Sequence, residues 1–296
     1  MLSAVTGWTL FAGLALSLGA VASRWLIIPR GFPPGDPPGA RLREEAARVG
    51  QMGGLLLMLG LSLFFVRQLI EFRDPFSAWV DEATLLLGTS WGRSWMVAGV
   101  ASVVGVASLS VARRRDHGWR IATPIVLALG AFPALTGHAA AEERFRALYI
   151  LADVAHVWGA GAWIGGLAVV LWLEWRSSSG AESRASLLPA LVPAFSTVAI
   201  GAVGALVVTG TFASWTHLPS PGALFTTTYG RLLAAKLGLV ALVLALGARN
   251  FRVLTPRLGT EGGNRAMRRS ALFELAVAQI VLIVTALLVR TSPMGG

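Results

Sequence analysis

Residues 148–173 read LYILADVAHVWGAGAWIGGLAVVLWL, and apart from the phenol of Tyr149 only Asp153 and His156 among them are ionisable. As a helix rising about 1.5 Å per residue, such a stretch is longer than the ~30 Å hydrocarbon core of a bilayer. Apolar and polar side chains do not alternate, so a membrane strand is disfavoured. In lipid the backbone must bond to itself, which leaves a helix. Seven further stretches share this character, at about 6–28, 51–70, 93–112, 121–140, 190–214, 230–250 and 271–290. The reading is an all-α, polytopic transmembrane helix bundle of about eight spans. Composition agrees, since 55% of the 296 residues are apolar and 14% are charged, where a soluble domain carries about 25% charged residues.

The formal net charge of +10 suggests nucleic acid until the charges are placed along the chain. Arg24, Arg30, Arg41, Arg43, Arg48, Arg113–Arg115, Arg120, Arg176, Arg184, Arg249, Arg252, Arg257, Arg265, Arg268 and Arg269 fall on one side. Against eight acids there, Glu274 included, they leave +9; the other side holds eight basic and seven acidic residues and carries +1. Cytoplasmic loops of membrane proteins are enriched in Arg and Lys, so the heavier side is expected inside, and the N-terminus and C-terminus are expected outside. The excess charge is then a topology signal matched to anionic lipid, and no nucleic-acid partner is called for.

Ala20-Val21-Ala22 resembles a signal-peptidase site, but no charged region precedes the apolar run, so the first stretch is read as a span. The proline-rich segment 29–39 reads as an irregular connection followed by an interfacial helix to Arg48. Loop 71–91, with four acids and two tryptophans, reads as a border segment anchored by its aromatics. No loop is long enough to bury a core of its own. The chain is therefore one integral membrane domain over 1–296: a less motif-rich first half (1–135), a motif-bearing region (136–250), and a closing loop and span (251–296).

The chain has no cysteine, which excludes disulfides and thiolate metal sites. No serine–histidine–acid order, phosphate loop or zinc-protease motif occurs, so an enzyme is not expected. Of four histidines, His117 sits among arginines, while His138, His156 and His217 map to the other side. His138 lies near the end of the fourth stretch, five residues after Pro133, which removes a helix hydrogen bond. Asp153 and His156, three apart, share a helix face, and an ionisable residue inside a span is a functional-site candidate. A carboxylate there can orient a metal-binding imidazole; the plainer alternative is a polar pair that glues helices. Trp163 continues the stripe, and Gly159, Gly161, Gly165 and Gly166 permit close helix approach. Tyr229 and Arg231 open the seventh stretch. Lys236, the only lysine, lies inside it and either neutralises Asp153 across the bundle or snorkels outward. Met96 offers a thioether that suits Cu(I) or is packing.

At Gly137-His138, at Asp153-x-x-His156 followed by Trp163-Ile164-Gly165-Gly166, and at Thr228-Tyr229-Gly230-Arg231 with Lys236, the chain resembles the copper resistance D (CopD) family of bacterial inner-membrane proteins. The resemblance is densest over 136–250. It implies an eight-span copper-transport protein that imports copper, in either oxidation state, and is often partnered by a periplasmic copper carrier. Carried over, His138 and His156 become candidate copper ligands and Asp153 their supporting carboxylate; Met96 and His217 are further candidates by their place on the same side, not by the resemblance. Two alternatives stand beside it. One is a non-transporting copper-delivery or assembly factor. The other is an electron-transfer protein in which two histidines on adjacent helices hold haem b.

Overall fold

The structure is a computed structural model and describes residues 2–33, 35–136, 145–178, 185–218 and 220–291, without the side chains of Leu2 and His217. Every regular element among the described residues is helical. Eight helices are long and apolar enough to cross a membrane: Ser3–Gly31, Pro37–Glu71, Ser90–Ala112, His117–Thr136, Arg146–Ser178, Leu188–Thr216, Thr228–Arg257 and Glu261–Leu288. With eight crossings, the start of the first span and the end of the eighth fall on one side. The connections at 113–116 and 258–260 share the arginine-rich end; that at 72–89 belongs to the opposite end.

The first span is the hub. It packs against the second, fourth, fifth and eighth spans, and Ala20, Val21 and Ala22 are buried within it. Its contact with the fifth span needs glycine: a Cβ added to Gly165 would stand 1.7 Å from the Ala15 carbonyl oxygen, and one on Gly19 would stand 2.1 Å from the Gly165 carbonyl carbon. The small residues of the fifth stretch therefore do what small residues do between membrane helices, bringing two backbones together.

Two elements differ from the sequence reading. No separate interfacial helix precedes the second span; residues 37–71 form one continuous helix. Glu45 explains the ordered Arg/Glu stretch, because it takes Arg48 (2.7 Å), Arg176 (3.5 Å) and the Trp172 indole (3.0 Å), tying this helix to the fifth span. The eighth span begins ten residues before the apolar run suggests, at Glu261. Polar and charged residues on about three or four extra helical turns carry no apolar signal, so hydropathy alone places both starts late.

Three spans begin alike. Thr89, Thr227 and Thr260 accept a hydrogen bond from the backbone N–H of Gly92, Gly230 and Gly263 at 2.9–3.0 Å, the N-cap arrangement that satisfies an orphan donor. A Cβ on Gly230 would meet the Ala223 carbonyl oxygen at 2.0 Å. Glycine here lets the short helix Ala223–Thr226 fold back over the seventh span, and this fixes Tyr229 beside it.

Two kinds of irregularity mark the bundle. The fourth span breaks at Gly130–Ala131 ahead of Pro133, whose missing N–H frees a carbonyl; the Trp158 indole donates to Leu127 O at 3.0 Å beside the break. Single π-helical turns occur at Ser23–Ile27, Gly161–Gly165 and Asn250–Leu254. Such turns recur at functional sites because the wider turn re-aims side chains.

Candidate metal centre

His156 stands on the fifth span about 15 Å from its start at Arg146, by helical rise. The fifth and sixth spans pack directly, closely enough that a Cβ on Gly159 would come within 3.2 Å of the Ala202 carbonyl. That approach brings His156 Nδ1 to 2.9 Å from Thr209 Oγ1 on the sixth span. The Thr209 hydroxyl has one hydrogen, and its shortest carbonyl contact is Ala205 O at 2.7 Å, a helix back-bond. The hydroxyl therefore accepts from His156, which assigns the proton to Nδ1. In the neutral ring this tautomer leaves the Nε2 lone pair bare, the form in which an imidazole ligates a metal.

Thr209 thus holds the imidazole from a different span than Asp153, to which the sequence reading gives the orienting task. Asp153 attracts Lys236 and acts on the Tyr229 hydroxyl, while the Lys236 charge also reaches His156. Lys236 stands two helical turns past Tyr229 on the seventh span, so both face the same neighbours. Of the two positions open to Lys236, the electrostatics favour the one across the bundle from Asp153. Tyr229 is buried and Arg231 exposed. The sequence-predicted residues that come together are therefore Asp153, His156, Tyr229 and Lys236, drawn from two spans, with Thr209 added by a third.

Of the remaining candidates, Met96 and Trp163 have described side chains. His138 is outside the described residues, as is the His217 side chain. Met96 is 40% exposed on the third span, which packs on the second and fourth. Trp163 is buried seven residues beyond His156, within the π turn Gly161–Gly165. Among the described residues no three His, Asp or Glu side chains gather as a ready-made metal cage. What the described residues supply is one imidazole with a free lone pair, held by a hydroxyl and flanked by a carboxylate and an ammonium.

Two residues of this region escape the sequence reading. Thr209 gives no signal in sequence, because threonine is common in spans and its partner is 53 residues away. Glu274 does give one. The charge count assigns it to the arginine-rich side, whereas it stands near the middle of the eighth span and is 4% exposed. A single acid inside an apolar run is the same signal that singles out Asp153.

Comparison with known proteins bears on what such a site handles. The profile of the copper resistance protein D-like N-terminal domain matches residues 2–148, and that of copper resistance protein D matches residues 189–288. The chain belongs to the copper resistance D family. It is 30% identical over 211 residues to the copper transport protein CutJ of Bacillus subtilis, an alignment covering 68% of this chain but 38% of that longer protein. It is 26% identical over 266 residues to copper resistance protein D of Pseudomonas syringae pv. tomato, covering 80% of this chain and 81% of that one. No solved structure matches. The chain is thus a member of a copper resistance and transport family, with eight helices long and apolar enough to cross a lipid membrane.

Proposed function

We propose that this chain carries copper inward across the bacterial inner membrane, with the arginine-rich end in the cytoplasm and both termini outside. The orientation rests on the asymmetry of +9 against +1. Copper binds first at His156 Nε2 in the outer leaflet, joined by His138, which follows the fourth span in sequence, with Met96 and His217 as further donors on the same side. Imidazole suits copper in either oxidation state. Asp153 and Lys236 balance each other's charge beside the site, which lowers the cost of keeping each inside a span. A periplasmic copper-carrier protein delivers the ion to the exposed outer loops, where Asp74 and Asp81 present carboxylates.

The observation that carries this reading is the His156–Thr209 hydrogen bond, which leaves a metal-binding nitrogen bare in a chain of a copper family. The test is copper flux into proteoliposomes holding wild-type protein or the His156→Ala variant. Wild-type flux that falls at least tenfold in the variant is the expected result. Copper bound without any flux would instead make the protein a delivery factor, and equal flux in both would overturn the site.

A further inference from the structure

The arginine-rich half of the bundle contains a cavity of about 360 Å³ between the fifth, sixth, seventh and eighth spans. Its walls are mostly apolar, with Phe195 and Val243 among them, but Glu274, Asn250, Trp163 and Met267 also line it. The Glu274 carboxylate accepts a hydrogen bond from Asn250 Nδ2 at 3.1 Å, and the Trp163 side chain lies close enough to act on it. Asn250 Oδ1 is in turn held by the Ser270 hydroxyl at 2.5 Å. Among the described residues Glu274 has no ion-pair partner. Arg252, the other charged residue on the lining, is exposed and belongs to no ion pair with it.

Two features set this carboxylate apart from a structural one such as Glu174, which is buried against Arg268, Ser186 and the Leu187 N–H. First, both side chains that position Glu274 sit on π turns, Trp163 in Gly161–Gly165 and Asn250 in Asn250–Leu254. Second, it faces open volume while lacking a compensating cation, an arrangement that marks ion pathways inside membranes. By helical rise from the opposite end, His156 lies about 15 Å deep, Glu274 about 21 Å and Met267 about 31 Å. These groups form a descending series of imidazole, carboxylate and thioether, and the last suits Cu(I).

We infer that Glu274, positioned by Trp163 and Asn250 and followed by Met267, is a second cation-binding station in the cavity, which takes the copper ion after His156. This deepens the transport reading and rests on it for the identity of the ion. The test is an anaerobic Cu(I) titration of the purified full-length chain in detergent, in the His156→Ala background, with and without Glu274→Gln or Met267→Leu. Proteoliposome flux of the single variants is measured in parallel. The expected result is a weaker copper that survives His156→Ala and is lost when either second substitution is added. Flux is expected to fall at least tenfold in Glu274→Gln, while its tight His156-dependent copper is kept. Gln is nearly isosteric and Met267→Leu leaves the network untouched, so loss in both variants, each monodisperse, is not a folding defect. Copper binding in the His156→Ala protein that neither substitution alters would overturn the inference. Absence of flux in the wild type would sink the transport reading alone, and the titration would still decide this station.

Discussion

Replacing Thr209 by valine tests the atom on which the copper site is built. Valine keeps the shape of the side chain and removes the acceptor 2.9 Å from His156 Nδ1. The back-bond to Ala205 O is lost as well, but that carbonyl already takes part in the helix ladder. The imidazole then loses both its orientation and the bond that favours the Nδ1–H tautomer. A typical intramolecular hydrogen bond is worth about 0.5–1.5 kcal/mol net, and about 1.4 kcal/mol corresponds to tenfold in affinity. Loss of a group that orients a metal ligand costs about 10–100-fold. The expectation is copper binding weakened about tenfold in Thr209→Val and kept within about twofold in Thr209→Ser, whose hydroxyl still accepts. Competition with a chromophoric Cu(I) chelator measures both. Unchanged affinity in Thr209→Val would refute the orienting role, and tighter binding would make Nδ1 the ligand instead.

Other expectations follow from packing and charge. Gly165→Ala drives a methyl group into the Ala15 carbonyl and is expected to cost about 3 kcal/mol, the upper end for overpacking. Gly201→Ala and Gly204→Ala, with nothing within 4 Å, gain up to about 1 kcal/mol of helix propensity; thermal unfolding in one detergent separates the three. Asp153→Asn and Lys236→Met each leave one charge of the pair unbalanced, so the double variant is expected to be less impaired than the two single losses combined. A coupling of about 1 kcal/mol or more in a double-mutant cycle of copper affinity checks this. Glu174→Gln strips the charge from a buried group that holds the Arg268 guanidinium, the Ser186 hydroxyl and the Leu187 N–H. A loss of about 1–3 kcal/mol, seen as a lower unfolding temperature with copper affinity unchanged, is the expected outcome.

The fold was largely legible because bilayer thickness imposes a length and a hydropathy that no other constraint imitates. Each of the eight apolar stretches is helical over most of its described residues, and the errors fell at the arginine-rich ends. There Pro37–Gly50 and Glu261–Ser270 extend their helices through residues with no apolar signal. Asp153, His156 and Lys236 were legible for the opposite reason, since ionisable groups stand out in an apolar run. Thr209 was hidden because its role depends on which helix it meets, and that meeting is set by small residues such as Gly159 rather than by polarity. Glu274 lies near the start of the eighth apolar stretch, 271–290, and so counts with the charges of the arginine-rich side, whereas the helix begins 13 residues before it, at Glu261, and puts it mid-span. The glycine of Thr228-Tyr229-Gly230-Arg231 reads as part of a motif in sequence and acquires its physical reason only beside the Ala223 carbonyl.

The most direct test of the account is the copper content and optical spectrum of the purified chain, before and after copper loading, compared with the His138→Ala/His156→Ala double variant. The account predicts copper in the wild type that the double variant loses from its tight site, with no Soret band in either. Tight copper retained by the double variant would contradict the site, and a Soret band that disappears with the two histidines would make the ligand haem and the copper assignment wrong.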